Sequence, residues 1–321
     1  MAEITKANRL LTIVVPCYNE QESVVPFYTR LMEVSAGLNL AIECIFVDDG
    51  STDLTLPALI ELHREHPETV RYLELSRNFG KEAALLAGLR AARGDLVAVM
   101  DADLQDPPEL LPKMVALIDD DGYDTVATRR FNREGEPVIR SFFARKFYKW
   151  MNRVSHVKMV DGARDFRLMT RQVVDSILEL SEYNRFSKGI FSWVGYRTAY
   201  VEFENRPREF GTTKWSFWGL FKYSIEGIVN FSSFPLQLSV WVGLILSIAA
   251  LVSVVIVVIR AFILAHDTPG WASIISIVLF LGGVQMLSIG VLGEYLGKLF
   301  LETKHRPVYL VRSDSDTANV R

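Results

Sequence analysis

The chain has 321 residues, is half hydrophobic and carries a formal net charge of −3. With two cysteines and nearly balanced charge, it is neither a disulfide-stapled secreted module nor a disordered polar chain nor a basic nucleic-acid binder. The charge is uneven, however: positions 129–158 hold nine Lys or Arg against two Glu.

Met1 to Arg9 is polar and the next apolar run is too short for a cleavable signal peptide. Leu10 to Val15 predicts a strand stopped by Pro16. Glu20 to Ser35 carries Val24, Phe27, Leu31 and Val34 at helical spacing, and Ile42 to Val47 predicts a second strand stopped by Asp48-Asp49-Gly50-Ser51. Val70 to Leu75, a helix from about 81 to 92 and Leu96 to Met100 repeat the alternation. Such alternation implies a parallel sheet wound in right-handed crossovers, with the functional crevice outside the carboxyl ends of the strands. Cys17 and Cys44 read as reduced residues on strands.

The strand Leu96 to Met100 runs straight into Asp101-Ala102-Asp103-Leu104-Gln105-Asp106-Pro107-Pro108. Two carboxylates at a strand's carboxyl end can grip a hard cation that bridges a diphosphate. Asp101, Asp103 and Gln105 share one side if the backbone stays extended there, and Asp106 before two prolines reads as a helix N-cap. In the basic run, Phe143, Phe147, Trp150, Met151 and Val154 fall opposite Arg145, Lys149 and Arg153, which predicts an interfacial helix near 141–155. Positions 161–167 read as a loop in which Asp165 has Arg164 or Arg167 as its plain structural partner. A second interfacial segment is expected at 215–231.

Phe231 to Ile259 and Thr268 to Gly293 are 29 and 26 residues without a charge, each longer than the ~20 needed to cross a bilayer. The link Arg260 to Asp267 is short enough to be a hairpin turn, which puts both chain ends on one side. Lys214, Lys222, Lys298, Lys304 and Arg306 flank the spans on that side, so the large domain is expected in the cytoplasm. Ser313 to Arg321 reads as disordered.

Six stretches occur in order: Val14-Val15-Pro16-Cys17-Tyr18-Asn19-Glu20, Val47-Asp48-Asp49-Gly50-Ser51, Asn78-Phe79-Gly80-Lys81, the Asp-x-Asp-x-Gln run, Asp165-Phe166-Arg167-Leu168-Met169 and Gly211-Thr212-Thr213-Lys214-Trp215. Together they resemble inverting family 2 glycosyltransferases of the polyprenyl-phosphate branch, which contains dolichol-phosphate mannose synthases and bactoprenol glucosyltransferases. The resemblance implies an α/β fold with a GT-A-type, Rossmann-like, mostly parallel sheet at residues 1–230, a two-helix transmembrane hairpin at 231–300 and a cytoplasmic tail at 301–321. It implies hexose transfer from a nucleotide sugar, UDP-glucose first, to undecaprenyl phosphate for the cell envelope, with both termini on the cytoplasmic side of a bacterial inner membrane. N-acetylglucosamine, galactose, mannose or aminoarabinose donors are the alternative. A flippase or scaffold subunit is the rival class, disfavoured because two spans without buried charge offer no substrate path.

By the same resemblance, Pro16, Tyr18, Asn19 and Glu20 cradle the nucleoside, with Asp48 or Asp49 as acceptor for a base or ribose proton; Lys81, Asp101, Ala102 and Arg129 complete the nucleotide-sugar contacts. Asp101, Asp103 and Gln105 are the expected ligands of Mg²⁺ or Mn²⁺. Asp165, with Asp103, is the expected catalytic pair, and Arg140, Arg208 and Lys214 are expected at the lipid phosphate, where Arg suits bidentate recognition and Lys a point charge. Expected partners are the nucleotide sugar, a polyprenyl phosphate, the bilayer and further copies of the chain, since Gly243, Gly282, Gly283, Gly290, Gly293 and Gly297 invite helix packing; no nucleic acid is expected.

Overall fold

The computed structural model describes residues 9–130, 160, 162–203, 232–263 and 270–318. Strands β1 (Leu10–Cys17), β2 (Ala41–Asp48), β3 (Val70–Leu75) and β4 (Leu96–Val99) are connected through α1 (Val24–Ser35), α2 (Thr55–Glu65) and α3 (Lys81–Ala91). They lie in the order β4-β1-β2-β3 and are all parallel. α4 (Leu111–Asp119) leads into β5 (Thr125–Arg130). β6 (Ala163–Thr170) then inserts antiparallel between β4 and β5. α5 (Arg171–Glu179) and α6 (Ser187–Trp193) precede β7 (Thr198–Phe203), which is parallel to β5 at the sheet edge. The expected α/β, mostly parallel sheet is what forms.

Helices cover both faces, which is why the central strands read as largely apolar runs rather than strict alternation, with few polar residues such as Thr12 and Glu43 among them. Leu11, Ile13 and Val15 of β1, with Cys44 and Phe46 of β2, pack on Phe27 and Leu31 of α1, Leu59 of α2 and Met114 of α4. Val14, Ile45 and Val47 point the other way, onto Ala84, Leu85 and Leu89 of α3 and Val174 and Ile177 of α5. Cys17 and Cys44 are both free and buried. α3 is built of small residues for a reason: a Cβ on Gly88 would sit 2.2 Å from Val14 Cγ1. That closeness lets the helix start, with Lys81, approach the middle of the sheet.

Two local expectations change. β1 continues through Pro16, paired with Val47, instead of stopping there. Val14 accepts from Met100 N on the β4 side and Cys17 accepts from Asp49 N on the β2 side, so by alternation Pro16 N faces the β4 side beyond the end of that strand, where no donor is needed. Positions 163–167, read above as loop, belong to β6. Their polar side chains suggested a loop because one face of this strand borders the crevice.

α7 (Phe234–Ile263) and α8 (Trp271–Thr303) hold 20- and 24-residue windows long and apolar enough to cross a membrane, Phe234–Ser253 and Phe280–Thr303, and neither window is buried in protein. Trp241, Ile245, Leu251, Phe280, Met286 and Leu287 stand more than half exposed, a surface that fits a lipid environment and not water. The second helix runs ten residues past Gly293, where the uncharged stretch ends. Tyr295 OH donates to Ser232 O at 2.6 Å, closing the hairpin at the end nearer the sheet.

Beyond the hairpin the chain does not trail off as expected. β8 (Val311–Asp314) pairs antiparallel with β3 as the eighth strand, and α9 (Ser315–Ala318) follows. The segments expected at 141–155 and 215–231 lie outside the described residues.

A methyl group at position 88 has nowhere to go, so Gly88→Ala is expected to destabilise the domain by about 1–3 kcal/mol despite its better helix propensity. A lowered thermal midpoint checks this; an unchanged or raised one contradicts the close α3–β1 contact.

Candidate active site

The carboxyl ends of β1, β2 and β4, together with β6 and the start of α3, converge on one crevice. At its centre is Lys81, the first residue of α3. Its ammonium lies 2.7 Å from Asp101 Oδ1, just past β4, and 2.8 Å from Asp165 Oδ2 on β6. Burial works against the ammonium, but the two carboxylates outweigh it and raise Lys81 above the ordinary lysine value. Burial likewise pushes Asp165 up, and Lys81, Lys188 and Arg167 outweigh it, holding this carboxyl well below the usual range. Asp165 is therefore ionised across the physiological range. Arg167, nearly fully buried with its guanidinium 3.6 Å over the Phe191 ring, is lowered to about 10 by burial, with Asp165 opposing the fall.

The acidic loop after β4 is a turn, not an extended strand. Leu104 sits at φ 53, a left-handed conformation unusual for leucine and of the kind that gathers at functional sites. Gln105 N donates to Asp103 Oδ1 at 3.1 Å. The alternation expected to put Asp101, Asp103 and Gln105 on one side does not arise; instead Gln105 Oε1 accepts from Arg164 Nη2 at 3.3 Å and Arg130 Nη2 at 3.4 Å. Asp106 caps no helix. It is fully buried and accepts from Arg164 Nε at 2.9 Å, while its Oδ2 meets no donor among the described residues. Burial raises its pKa, with Arg164 acting in the opposite direction. Ala102 is buried beneath the loop.

The loops after β1 and β2 lace to one another. Asn19 N donates to Ser51 Oγ at 3.0 Å and Asn19 Oδ1 accepts from Thr52 N at 2.8 Å. Glu20 N donates to Thr55 Oγ1 at 2.8 Å, and its carboxylate accepts from Ser23 Oγ at 2.6 Å. Tyr18 stands at the mouth, 37% exposed, with Pro16 half-buried below it. Asp48 and Asp49 are both buried. Asp48 accepts from Ser51 N at 3.3 Å. Asp49 accepts from Phe79 N at 2.7 Å and Gly80 N at 2.9 Å, so its carboxylate shapes the loop that delivers Lys81. Arg129 lies on β5, opposite Ala163 of β6 and 3.8 Å from Glu202. Arg140, Arg208 and Lys214 lie outside the described residues.

Sequence reading named Arg164 and Arg167 as local partners of Asp165, but Arg164 pairs with Asp106 and Arg167 acts on Asp165 only as a neighbouring charge; it missed Lys188 and the bond from Ser187 N to the Glu82 carboxylate at 3.0 Å that ties α6 to α3. On β6, Arg164 and Asp165 necessarily face opposite sides of the sheet, the one signal that could have separated their roles. No three His, Cys, Asp or Glu side chains among the described residues form a ready metal cage. Asp101 and Asp103 nevertheless offer hard oxygens at the crevice, a donor set that fits an ion completing its shell with substrate phosphates.

The glycosyl transferase family 2 model matches residues 12–178, and the GtrB C-terminal hairpin model matches 234–299. An uncharacterised glycosyltransferase of Synechocystis is 44% identical over 94% of this chain and 94% of its own length. A prophage bactoprenol glucosyl transferase homolog of Escherichia coli is 39% identical (94% and 98%), and a bactoprenol glucosyl transferase of Shigella phage SfV is 38% identical (95% and 98%). A glucosyl-3-phosphoglycerate synthase of Mycobacterium tuberculosis, solved with Mn²⁺ and UDP-glucose, resembles it loosely: TM-score 0.45 and 21% identity over 69% of this chain and 78% of that one.

Removing Arg164 leaves Asp106 buried without its counter-charge, so Arg164→Met is expected to cost about 3–5 kcal/mol of stability. Adding Asp106→Asn should recover much of that loss. Thermal or denaturant unfolding of the two variants checks the pair; equal midpoints for both would show that Arg164 and Asp106 do not act together.

Proposed function

This chain belongs to glycosyltransferase family 2, and from that membership we propose that it transfers glucose from UDP-glucose to a polyprenyl phosphate, undecaprenyl phosphate, with inversion at the anomeric carbon. The carrying observation is the Lys81 ammonium bridging Asp101 and Asp165 at the carboxyl end of a parallel sheet whose chain continues into an apolar hairpin. The bactoprenol glucosyl transferases, similar over nearly their full length, supply the sugar and the lipid in this reading.

The acceptor needs little activation. A phosphate monoester has its second pKa near ~6, so it is largely dianionic at neutral pH and attacks without surrendering a proton. A carboxylate held far below its usual pKa is a weak base. Asp165 therefore serves to orient: it fixes Lys81 and offers its second oxygen to a sugar hydroxyl. Lys81, at a helix N-terminus, faces the donor diphosphate and offsets its charge. Asp101 and Asp103 are the residues that would hold Mg²⁺ or Mn²⁺; when bound, the ion supplies Lewis-acid stabilisation of the departing diphosphate. The Asp49 carboxylate keeps the Phe79–Gly80 amides in place so that Lys81 does not drift. Arg140, Arg208 and Lys214 supply the cations that bring an anionic lipid to an anionic donor.

The bilayer holds the acceptor headgroup, and the hairpin keeps the crevice beside it. With Lys304 and Arg306 following the second span, the catalytic side is the cytoplasmic face of a bacterial inner membrane.

Purified protein given radiolabelled UDP-glucose, undecaprenyl phosphate and Mg²⁺ or Mn²⁺ is expected to yield labelled lipid, EDTA to abolish it, and readdition of the ion to restore it. Asp101→Asn with Asp103→Asn is expected to cost about 10²–10³-fold in turnover. Undiminished transfer by that double variant would overturn the assignment.

A further inference from the structure

The segment that emerges from the second membrane helix makes contacts that the transfer reaction does not by itself require. At the end of α8 the Glu302 carboxylate accepts from Tyr183 N at 3.0 Å and Asn184 N at 3.3 Å. Three residues beyond Asn184, Ser187 donates its backbone N–H and its hydroxyl to Glu82, the residue next to Lys81. One route therefore runs from α8 to the start of α3 through two short hydrogen-bonded links.

A second route reaches the same helix start from the opposite side. β8 pairs with the carboxyl half of β3, with Glu74 opposite Ser313 and Leu75 opposite Val311. Arg312 lies 3.0 Å from Glu74 and donates to Ser76 O at 2.9 Å, while Ser76 N donates to Leu310 O at 2.8 Å. Ser76 is five residues before Lys81, and the intervening loop is the one Asp49 grips. Farther along, Asp316 takes guanidinium groups from Arg71 at 2.6 Å and Arg93 at 2.5 Å, and Arg71 also pairs with the buried Glu43 at 2.8 Å. The nearly buried Arg71 makes this anchor worth more than an exposed ion pair, because a charge left unpaired there costs several-fold more than one in water.

We propose that Glu302 and Arg312 are positioning residues of the transfer reaction: the post-membrane strap, from Glu302 to Asp316, clasps the start of α3 from both sides and sets Lys81 against Asp101 and Asp165. The segment follows the second membrane helix directly, so the placement of Lys81 depends on the hairpin that keeps the crevice beside the acceptor headgroup. The donor site is in register with the membrane only when the strap is seated. This rests on the assignment of Lys81 to the donor diphosphate made above.

The test uses the full chain in lipid nanodiscs, with UDP as binding probe and UDP-glucose with undecaprenyl phosphate for turnover. Glu302→Ala with Arg312→Ala is compared with Arg9→Ala, which breaks the 2.5 Å Arg9–Asp119 pair at the far end of β1 and touches neither route. The strap variant is expected to lose about ten- to a hundredfold in turnover and to bind UDP more weakly, with the KM for lipid unchanged. The Arg9 variant is expected to lower the thermal midpoint only. If the two variants show the same kinetics, the strap is mere stabilisation and the proposal fails. Should the strap variant not fold, Glu74→Cys with Ser313→Cys, partners across β3 and β8, serves instead. A disulfide formed within one chain, leaving turnover intact, supports the clasp; a covalent dimer, or no bond, overturns it. Wild-type protein inert towards UDP-glucose would sink the underlying donor reading, whereas active wild type with an indifferent strap sinks only this inference.

Discussion

The crevice depends on one ammonium group. Asp101 lies just past β4, Asp165 lies on its antiparallel neighbour β6, and without a cation between them two carboxylates sharing a small space would repel and one would take up a proton. Lys81 answers both at 2.7 and 2.8 Å. It is placed by the packing of a small-residue helix so close to β1 that no side chain fits at Gly88, and by Asp49, which fixes the two amides just before it. Fold and site are thus one problem here: the sheet brings the carboxylates near each other, and the helix start makes their proximity tolerable.

Around this bridge the charges are arranged in layers. Arg164 neutralises Asp106 beneath the acidic loop and reaches Gln105, so the turn that presents Asp101 and Asp103 is held from behind. Arg167, buried under Phe191, adds positive potential to Asp165 without touching the open crevice. The result is a crevice in which Asp165 stays ionised and Lys81 supplies the central positive charge, an arrangement suited to receive a diphosphate. A site in which Asp165 is so strongly acidic favours an acceptor that arrives already ionised, which is the property of a lipid phosphate.

The parallel half of the sheet was legible because its strands are largely apolar on both faces and two of them, β2 and β4, run into turn-forming acids; β1 to β4 and α3 fall within a residue or two of their expected limits. Asp101 at a strand end was legible for the same reason. The partner of Asp165 was not: Lys81 lies 84 positions away, and nearby Arg164 and Arg167 were the obvious local choices. Strand periodicity sends Arg164 to the opposite face, where it meets Asp106, so the supposed helix cap proved to be half of a buried ion pair. Asp48 and Asp49 looked alike in sequence, yet Asp48 accepts from Ser51 N within its own turn while Asp49 reaches across to the two amides just before Lys81. β8 escaped notice because four residues with alternating charge resemble a tail, and only the exposed edge of β3 makes them a strand.

The claim that Lys81 joins Asp101 and Asp165 into a single working unit is tested most directly by a double-mutant cycle on turnover, using Lys81→Met, Asp165→Asn and the two combined. Groups that act as a unit give a combined variant no more than about threefold worse than the poorer single variant. Losses that multiply, with each substitution costing as much in the presence of the other as alone, would show two independent residues and contradict the account.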